Sequence, residues 1–345
     1  MRRRTVHRIS VAALVVLALS ACTSSASTSP TPSGASTPAP SSSSPEPTPT
    51  GPTLVAQVDI QTAGATRLEV PGGMDWITVA GGSAWTSSDA IARLDGRTGE
   101  VVTRIEIPGP TCLAPDIGYG SLWFGVCGGT PEVLRVDPRS GKVTATVRLR
   151  GVSDIQEESS VAAGAGSVWL LASPGLLVQI NPRTNAVVRV VKAPAGASAI
   201  RASADALWVT VHTDSTLLKI DPRTLKTLAT VPVGPGPQFL ALGAGAAWTL
   251  DQGGGSVTRV DLATARAVAT IQVDTGSVDG GDIAVGGGFV WARVTDGLVA
   301  KIDPRTNTVV ARYGPPAGSG SAVADGTAAW ITAHDSNSVY RLPLT

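Results

Sequence analysis

The chain is poor in the side chains that carry most enzyme chemistry. Of its 345 residues only three are His, three Cys, two Met, three Tyr and three Phe. It contains no HExxH pair, no nucleophile elbow and no calcium loop, so no familiar hydrolytic or metal motif marks it. Charged residues are only 15% of the total, with 27 basic against 26 acidic. Four of the basic ones, Arg2, Arg3, Arg4 and Arg8, stand in the first ten positions, and without them the balance is −3. That gives no general cationic field for nucleic acid. Aromatic residues are scarce at 4%. The core therefore has to be built from Ala, Val, Ile and Leu plus a set of eight Trp.

Seven of those Trp recur at one place in a repeat: Trp85, Trp123, Trp169, Trp208, Trp248, Trp291 and Trp330, spaced 38, 46, 39, 40, 43 and 39 residues apart. Each follows a turn of small residues, such as Gly-Gly-Ser-Ala before Trp85 and Gly-Ala-Gly-Ala-Ala before Trp248. About twelve residues later comes a second turn, DGRTG, DPRSG, NPRTN, DPRTL or a variant. Asp or Asn with Pro behind it suits a type I turn, and the closing Gly or Asn supplies a left-handed residue. Short runs rich in Val, Ile, Leu and Thr lie between these turns. Four strands in about forty residues are the size of one propeller blade. The expected fold class is all-β: a seven-bladed β-propeller of four-stranded antiparallel blades. Blades run approximately over 73–110, 111–152, 153–195, 196–236, 237–277 and 278–317, with a closing blade from 318.

The two ends of the domain fit together. Thr66–Gly72 matches Thr103–Gly109, the last strand of the first full blade, whereas the C-terminal stretch from Ala329 stops after a third strand. The closing blade therefore takes its outer strand from the N-terminal side, which leaves no open edge in the ring. Leu54–Ile60 is expected as a fifth strand outside that same blade.

Before the propeller stand two other segments. Arg2–Arg8 and the apolar run Ile9–Leu19 form a leader too short for a comfortable membrane span. It ends Leu19-Ser20-Ala21-Cys22, which resembles the lipobox of bacterial lipoproteins. The resemblance implies acylation of Cys22 and anchoring to the outer face of the cell membrane. Residues 23–52 are almost wholly Ser, Thr, Pro, Ala and Gly, the composition of an extended, disordered tether. The organisation expected is a lipoprotein signal peptide over 1–22, the tether over 23–52, and one monomeric propeller over 53–345.

The repeat resembles the YVTN-type propeller family of secreted and surface proteins, with Trp where that family has Tyr. The resemblance implies fold rather than activity. More distantly the chain resembles virginiamycin B lyase in blade number and repeat length, but no motif of that family can be placed on its residues. The turns Asp95–Gly99 and Asp137–Gly141 are similar to those of quinoprotein dehydrogenases, whose following Trp is missing here. No cofactor is expected.

In a propeller the loops before first strands and between second and third strands share one face, here called the top. Unusual residues gather there. Asp75, Trp76, Asp116, Glu157, Arg201, Gln238, Phe239 and Asp282 stand before or early in first strands, and His212 and His334 follow second strands. Trp76 and Phe239 both lie nine residues before their blade's Trp. Together these suggest an acidic and aromatic channel mouth that binds a protein, peptide or glycan. The alternative is a metal-dependent lyase or hydrolase at the same mouth, with the two His as acid–base groups or ligands. On the bottom, the second turns carry Arg97, Arg139, Arg183, Arg223 and Arg305, which read as a basic ring.

Cys112 and Cys127 remain as an even pair in an exported chain. With Gly118 opposite Ser121 in the first hairpin of blade two, Cys112 falls opposite Cys127, close enough for a disulfide. The leader generates a further expectation. Metabolic labelling with a fatty acid should mark the wild type and not Cys22→Ser. A labelled mutant would remove the lipobox reading.

Overall fold

The computed structural model describes residues 54–70, 75–112, 114–156, 158 and 160–344. The leader, the tether and Cys22 lie outside the described residues, as does Glu157. Seven antiparallel sheets succeed one another along the chain and close into a ring. Blade one is Trp76–Ala80, Ser83–Ser87, Ala90–Asp95 and Val101–Glu106; blade four is Ala197–Ala202, Leu207–Val211, Thr216–Ile220 and Thr227–Pro232. The expected all-β, seven-bladed propeller is the fold observed.

Each blade is built around its Trp. All seven are at most 1% exposed. Each Trp pairs with the residue seven positions before it on the first strand, as in Thr78↔Trp85 and Arg201↔Trp208. On the third strand the partner is Arg93, Arg135, Lys219, Arg259, Lys301 or Arg341, and in blade three Gln179. These cations lie over the rings, 5.1 to 5.9 Å from the centroids. In blade three the cation is Arg189 of the outer strand, which donates to Gln179 Oε1 at 2.7 Å. The quadrupole of the indole holds the charge in place.

The same cations reach into the next blade. Arg93 Nη1 donates to the carbonyl of Arg139 (2.7 Å), Arg135 Nη1 to Pro182 (2.7 Å), and Arg189 Nη2 to Pro222 (2.9 Å). Lys219 Nζ reaches Leu262 (3.1 Å), Arg259 Nη1 reaches Pro304 (2.7 Å), and Arg341 Nε reaches Gly96 (3.0 Å). Every acceptor is a carbonyl in the turn between the third and fourth strands. Lys301 of blade six has no such turn to meet, because blade seven takes its fourth strand from the other end of the chain. It lies instead 3.7 Å from the Phe289 ring centroid, and burial lowers its pKa. Close approach of the blades also depends on glycine at the ends of first strands. A Cβ on Gly286 would sit 1.9 Å from the Ala324 carbonyl oxygen, and one on Gly164 2.7 Å from that of Ala202.

The outer strands of the first six blades all carry a β-bulge at the same place. The unpaired residues are Val102, Thr144, Val188, Leu228, Val268 and Val310, each beside the residue facing the Trp-paired position. The five apolar ones are between 45% and 58% exposed. A bulge twists the strand and interrupts its free edge, which hinders pairing with another sheet.

Thr66–Glu69 pairs antiparallel with Ser338–Pro343 and completes blade seven, as the sequence indicates. The fifth strand is real but belongs elsewhere. Gln57–Asp59 lies parallel to Thr308–Gly314 at the edge of blade six, not outside blade seven. The reason is the turn that follows it. Thr62 N–H donates to Asp59 Oδ1 (2.8 Å), and Ala63 N–H to the Asp59 carbonyl (3.0 Å). Ile60 is wholly buried in a cluster with Trp291, Leu298, Tyr340 and Leu342, wedged between blades six and seven.

Cys112 and Cys127 form a disulfide with Cα atoms 6.0 Å apart. The hairpin register is the one expected, with Gly118 opposite Ser121. The lead-in that Cys112 anchors ties three blades together at the top. Thr111 N–H donates to Ser88 O (2.8 Å) in blade one, and Glu158 N–H of blade three donates to Cys112 O (2.9 Å).

The staples yield a testable difference. Arg259→Met removes a ring contact and a charged hydrogen bond, and should cost about 2–4 kcal/mol. Lys301→Met removes only ring contacts and should cost about 1 kcal/mol. Urea midpoints at unchanged m-value measure both, and equal losses would contradict the staple.

Candidate functional site

The residues nine positions before each blade's Trp form one layer: Trp76, Ala114, Ser160, Ala199, Phe239, Asp282 and Ser321. None is more than 5% exposed. The layer therefore closes the central channel near its top. Trp76, Ala114 and Phe239 belong to one apolar cluster although they come from blades one, two and five. The two aromatic residues that stood out in the sequence thus fill the channel. Asp282 sits in this layer and accepts from Ile283 N–H (2.8 Å) and from the Ser321 hydroxyl. Burial pushes its carboxyl up from the ordinary value, against the Ser321 hydrogen bond and the charge of Arg201. Trp76 Nε1 has no acceptor among the described residues.

Below the layer is a cavity of about 290 Å³ lined by residues of all seven first strands. Its charged lining is Asp116, Arg201 and Asp282; most of the rest is small and apolar, including Ala163, Ala202, Ala241 and Ala284. The next residues along these strands, such as Val79, Gly164 and Leu242, are partly exposed, so the cavity opens on the bottom. Asp116 accepts from Ile117 N–H (2.8 Å) and, across to blade three, from Ala163 N–H (2.7 Å). Arg201 Nη1 donates to the carbonyls of Val161 (3.1 Å) and Ile200 (2.9 Å).

Three of the sequence candidates therefore meet in the channel, on its lower side. The other described candidates do not line that cavity. Asp75 and Gln238 are half-buried beside the aromatic plug. His212 is exposed on blade four against Gly236, where a Cβ would come 3.1 Å from its ring. His334 is exposed on blade seven, with Nδ1 3.3 Å from Asp335 Oδ1. Among the described residues no group of three His, Cys, Asp or Glu is arranged to hold a metal ion.

The five arginines of the bottom turns do not make a basic ring. In blades one, two, four and six an Asp stands two residues before the Arg and accepts turn N–H groups, as Asp221 does from Arg223 and Thr224 at 2.9 and 2.7 Å. Those hydrogen bonds hold the carboxyls of Asp95, Asp137 and Asp221 below the usual range, with the turn threonine or serine first among the causes. Blade five has Asp261 and no Arg, whereas blade three has Arg183 and Asn181. The five Arg and five Asp cancel, and with Glu100, Lys142 and Lys226 at the ends of the turns the six turns together net only +1.

Two buried charged groups have other roles. Asp251 closes the second strand of blade five and accepts from Thr249 Oγ1 (2.6 Å), Thr258 Oγ1 (2.6 Å) and Ser256 Oγ (3.2 Å). Burial outweighs these bonds and raises its pKa to about 6. Arg293 is buried in blade six; it donates to the Leu298 carbonyl and to that of Gly318 (2.7 Å), and burial lowers its pKa to about 10. The sequence signal for it was available: two residues after Trp, the other blades have Ser, Gly, Leu or Thr.

Asp251 sets a pH dependence. Its folded pKa lies above the ordinary 3.8. Its contribution is therefore fully present below about pH 4 and is lost as pH rises through about 6. A shift of about two units corresponds to about 3 kcal/mol. Between pH 4 and 7 the thermal midpoint of the wild type should fall relative to Asp251→Asn. Parallel pH curves for the two would contradict the assignment.

In sequence, no protein-family model matches the chain, and no curated protein matches it. In structure it is similar to the WD40 domain of Neurospora crassa Pan2, with TM-score 0.64 and 14% identity over 85% of this chain and 98% of that one. It is also similar to U3-55K, with TM-score 0.65 and 13% identity over 81% and 98%. BamB from Moraxella catarrhalis aligns with TM-score 0.53 and 14% identity over 78% and 84%. At such identities the likeness is one of fold: this chain is a WD40-like seven-bladed β-propeller.

Proposed function

We propose that the chain is an exported, lipid-anchored binding or scaffolding module that presents its propeller to a protein partner outside the cell membrane. The observation that carries this reading is the closed layer from Trp76 to Ser321. It blocks the channel near its top and leaves only a small cavity below, so that recognition falls mainly to the two broad faces of the ring. The WD40-like neighbours are consistent with it. Export and anchoring rest on the leader and Cys22. A tether of thirty residues in extended form spans about 90 Å, which leaves either face accessible.

Amine-directed crosslinking of intact cells is the test. The expected result is a small set of reproducible adducts of the full-length protein, found with the membrane fraction. Recovery of the monomer alone over a range of crosslinker lengths would overturn the proposal.

A further inference from the structure

The bottom face carries two clefts that flank the Ala165-Gly166 turn of blade three. One, of about 690 Å³, is lined by Tyr119, Arg135, Asn181, Pro182 and Arg183. The other, of about 760 Å³, is lined in part by Val188, Arg189, Asp205, Asp221 and Arg223. Both are bordered by Gly166, so they lie side by side across blades two to four and are taken together as one groove divided by that turn. Its ionic lining is four arginines against two aspartates.

The excess has a definite origin in the turn chemistry. At blade three the Asp of the repeated turn is replaced by Asn181, whose Oδ1 accepts the Arg183 N–H at 2.8 Å as Asp does elsewhere. The backbone of the turn is kept while its negative charge is lost. The six turns together net only +1, so the groove's own excess of two is a local concentration of positive charge. Arg135 and Arg189 have donors committed to the carbonyls of Pro182 and Pro222 and contribute a fixed field. Arg183 and Arg223 are exposed. Apolar surface lies beside them: Tyr119 is 41% and Val188 55% exposed. The Tyr119 phenol stands near the backbone N–H groups of Gly166 and Ser167.

We propose that this groove docks an extended acidic segment of a partner protein, with carboxylates toward Arg183 and Arg223 and interleaved apolar side chains on Tyr119 and Val188. Alternate side chains of an extended segment point to opposite sides, which suits a strip of mixed cationic and apolar character. A charged membrane surface fits less well, because attraction to it scales with the whole face and the six turns together net only +1. The proposal rests on the binding-module reading and names its partner chemistry.

The test uses the full chain in uncharged detergent, panned against a random dodecapeptide library at low salt. Selected peptides should be enriched in Asp and Glu interleaved with apolar residues. In fluorescence anisotropy, a synthetic selected peptide should bind at least about tenfold more weakly to Arg183→Glu/Arg223→Glu and about threefold more weakly to Asn181→Asp, both losses shrinking as salt rises. Asn181→Asp is the informative variant for folding, since Asp holds the same turn in blades one, two, four and six. Peptides without an acidic excess would overturn the proposal. So would acidic peptides whose affinity neither variant changes, and in that case the binding-module reading stands. Equal binding of a scrambled acidic peptide, or binding only to phosphatidylglycerol vesicles that the charge reversal abolishes, would also overturn it.

Discussion

The molecule depends on one repeated contact: a buried indole, a cation lying on it, and a carbonyl of the next blade accepting a hydrogen bond from that cation. Each part needs the others. The indole alone packs within its own blade. The cation would be costly to bury without the ring and the acceptor. The carbonyl belongs to a tight turn whose shape is set by an Asx side chain. Six such contacts run in one direction around the ring, from Arg93 into blade two and on to Arg341 back into blade one. They explain why a chain with so few aromatic residues places nearly all of its Trp at one position in the repeat.

The channel follows from the same periodicity. Six of the seven positions seven residues before a Trp line the lower cavity, and among them the polar ones are Thr78, Asp116 and Arg201. Two residues earlier the ring has to be closed, and Trp76 and Phe239 supply the volume that Ala and Ser in other blades do not. A channel blocked in this way keeps only the small lower cavity as an internal site. What remains for recognition is the variation among otherwise equivalent turns, and Asn181 is one such variation.

Much of this was legible in the chain. The spacing of the Trp residues gave blade number, and the match of Thr66–Gly72 to Thr103–Gly109 gave the closure. Gly118 opposite Ser121 gave the register that joins Cys112 to Cys127. The misplaced strand shows where pattern fails. Leu54–Asp59 resembles a third-strand sequence, but which edge it joins is decided by the turn at residues 60–65 and the burial of Ile60, and neither has a periodic signature. The filling of the channel was not legible for a related reason. Sequence offsets place Trp76 and Phe239 in one layer, but whether seven side chains leave a hole depends on their combined volume at the axis. The arginine turns were read by their cations alone, although the neutralising Asp stands two residues before most of them.

The seam between blades six and seven also has a mechanical meaning. It is the one interface where the cation, Lys301, finds no carbonyl in the blade beyond. It is also where the N-terminal side of the chain enters, through three parallel pairs at Gln57–Asp59 and then the outer strand Thr66–Glu69. Tension applied from that end reaches the short parallel strand first, then the wedge of Ile60, and only then the antiparallel pairs that close the ring. The first strand and its turn can therefore yield as a sacrificial link while the disc stays shut, so that a protein held at this end has a mechanical fuse in series with its fold.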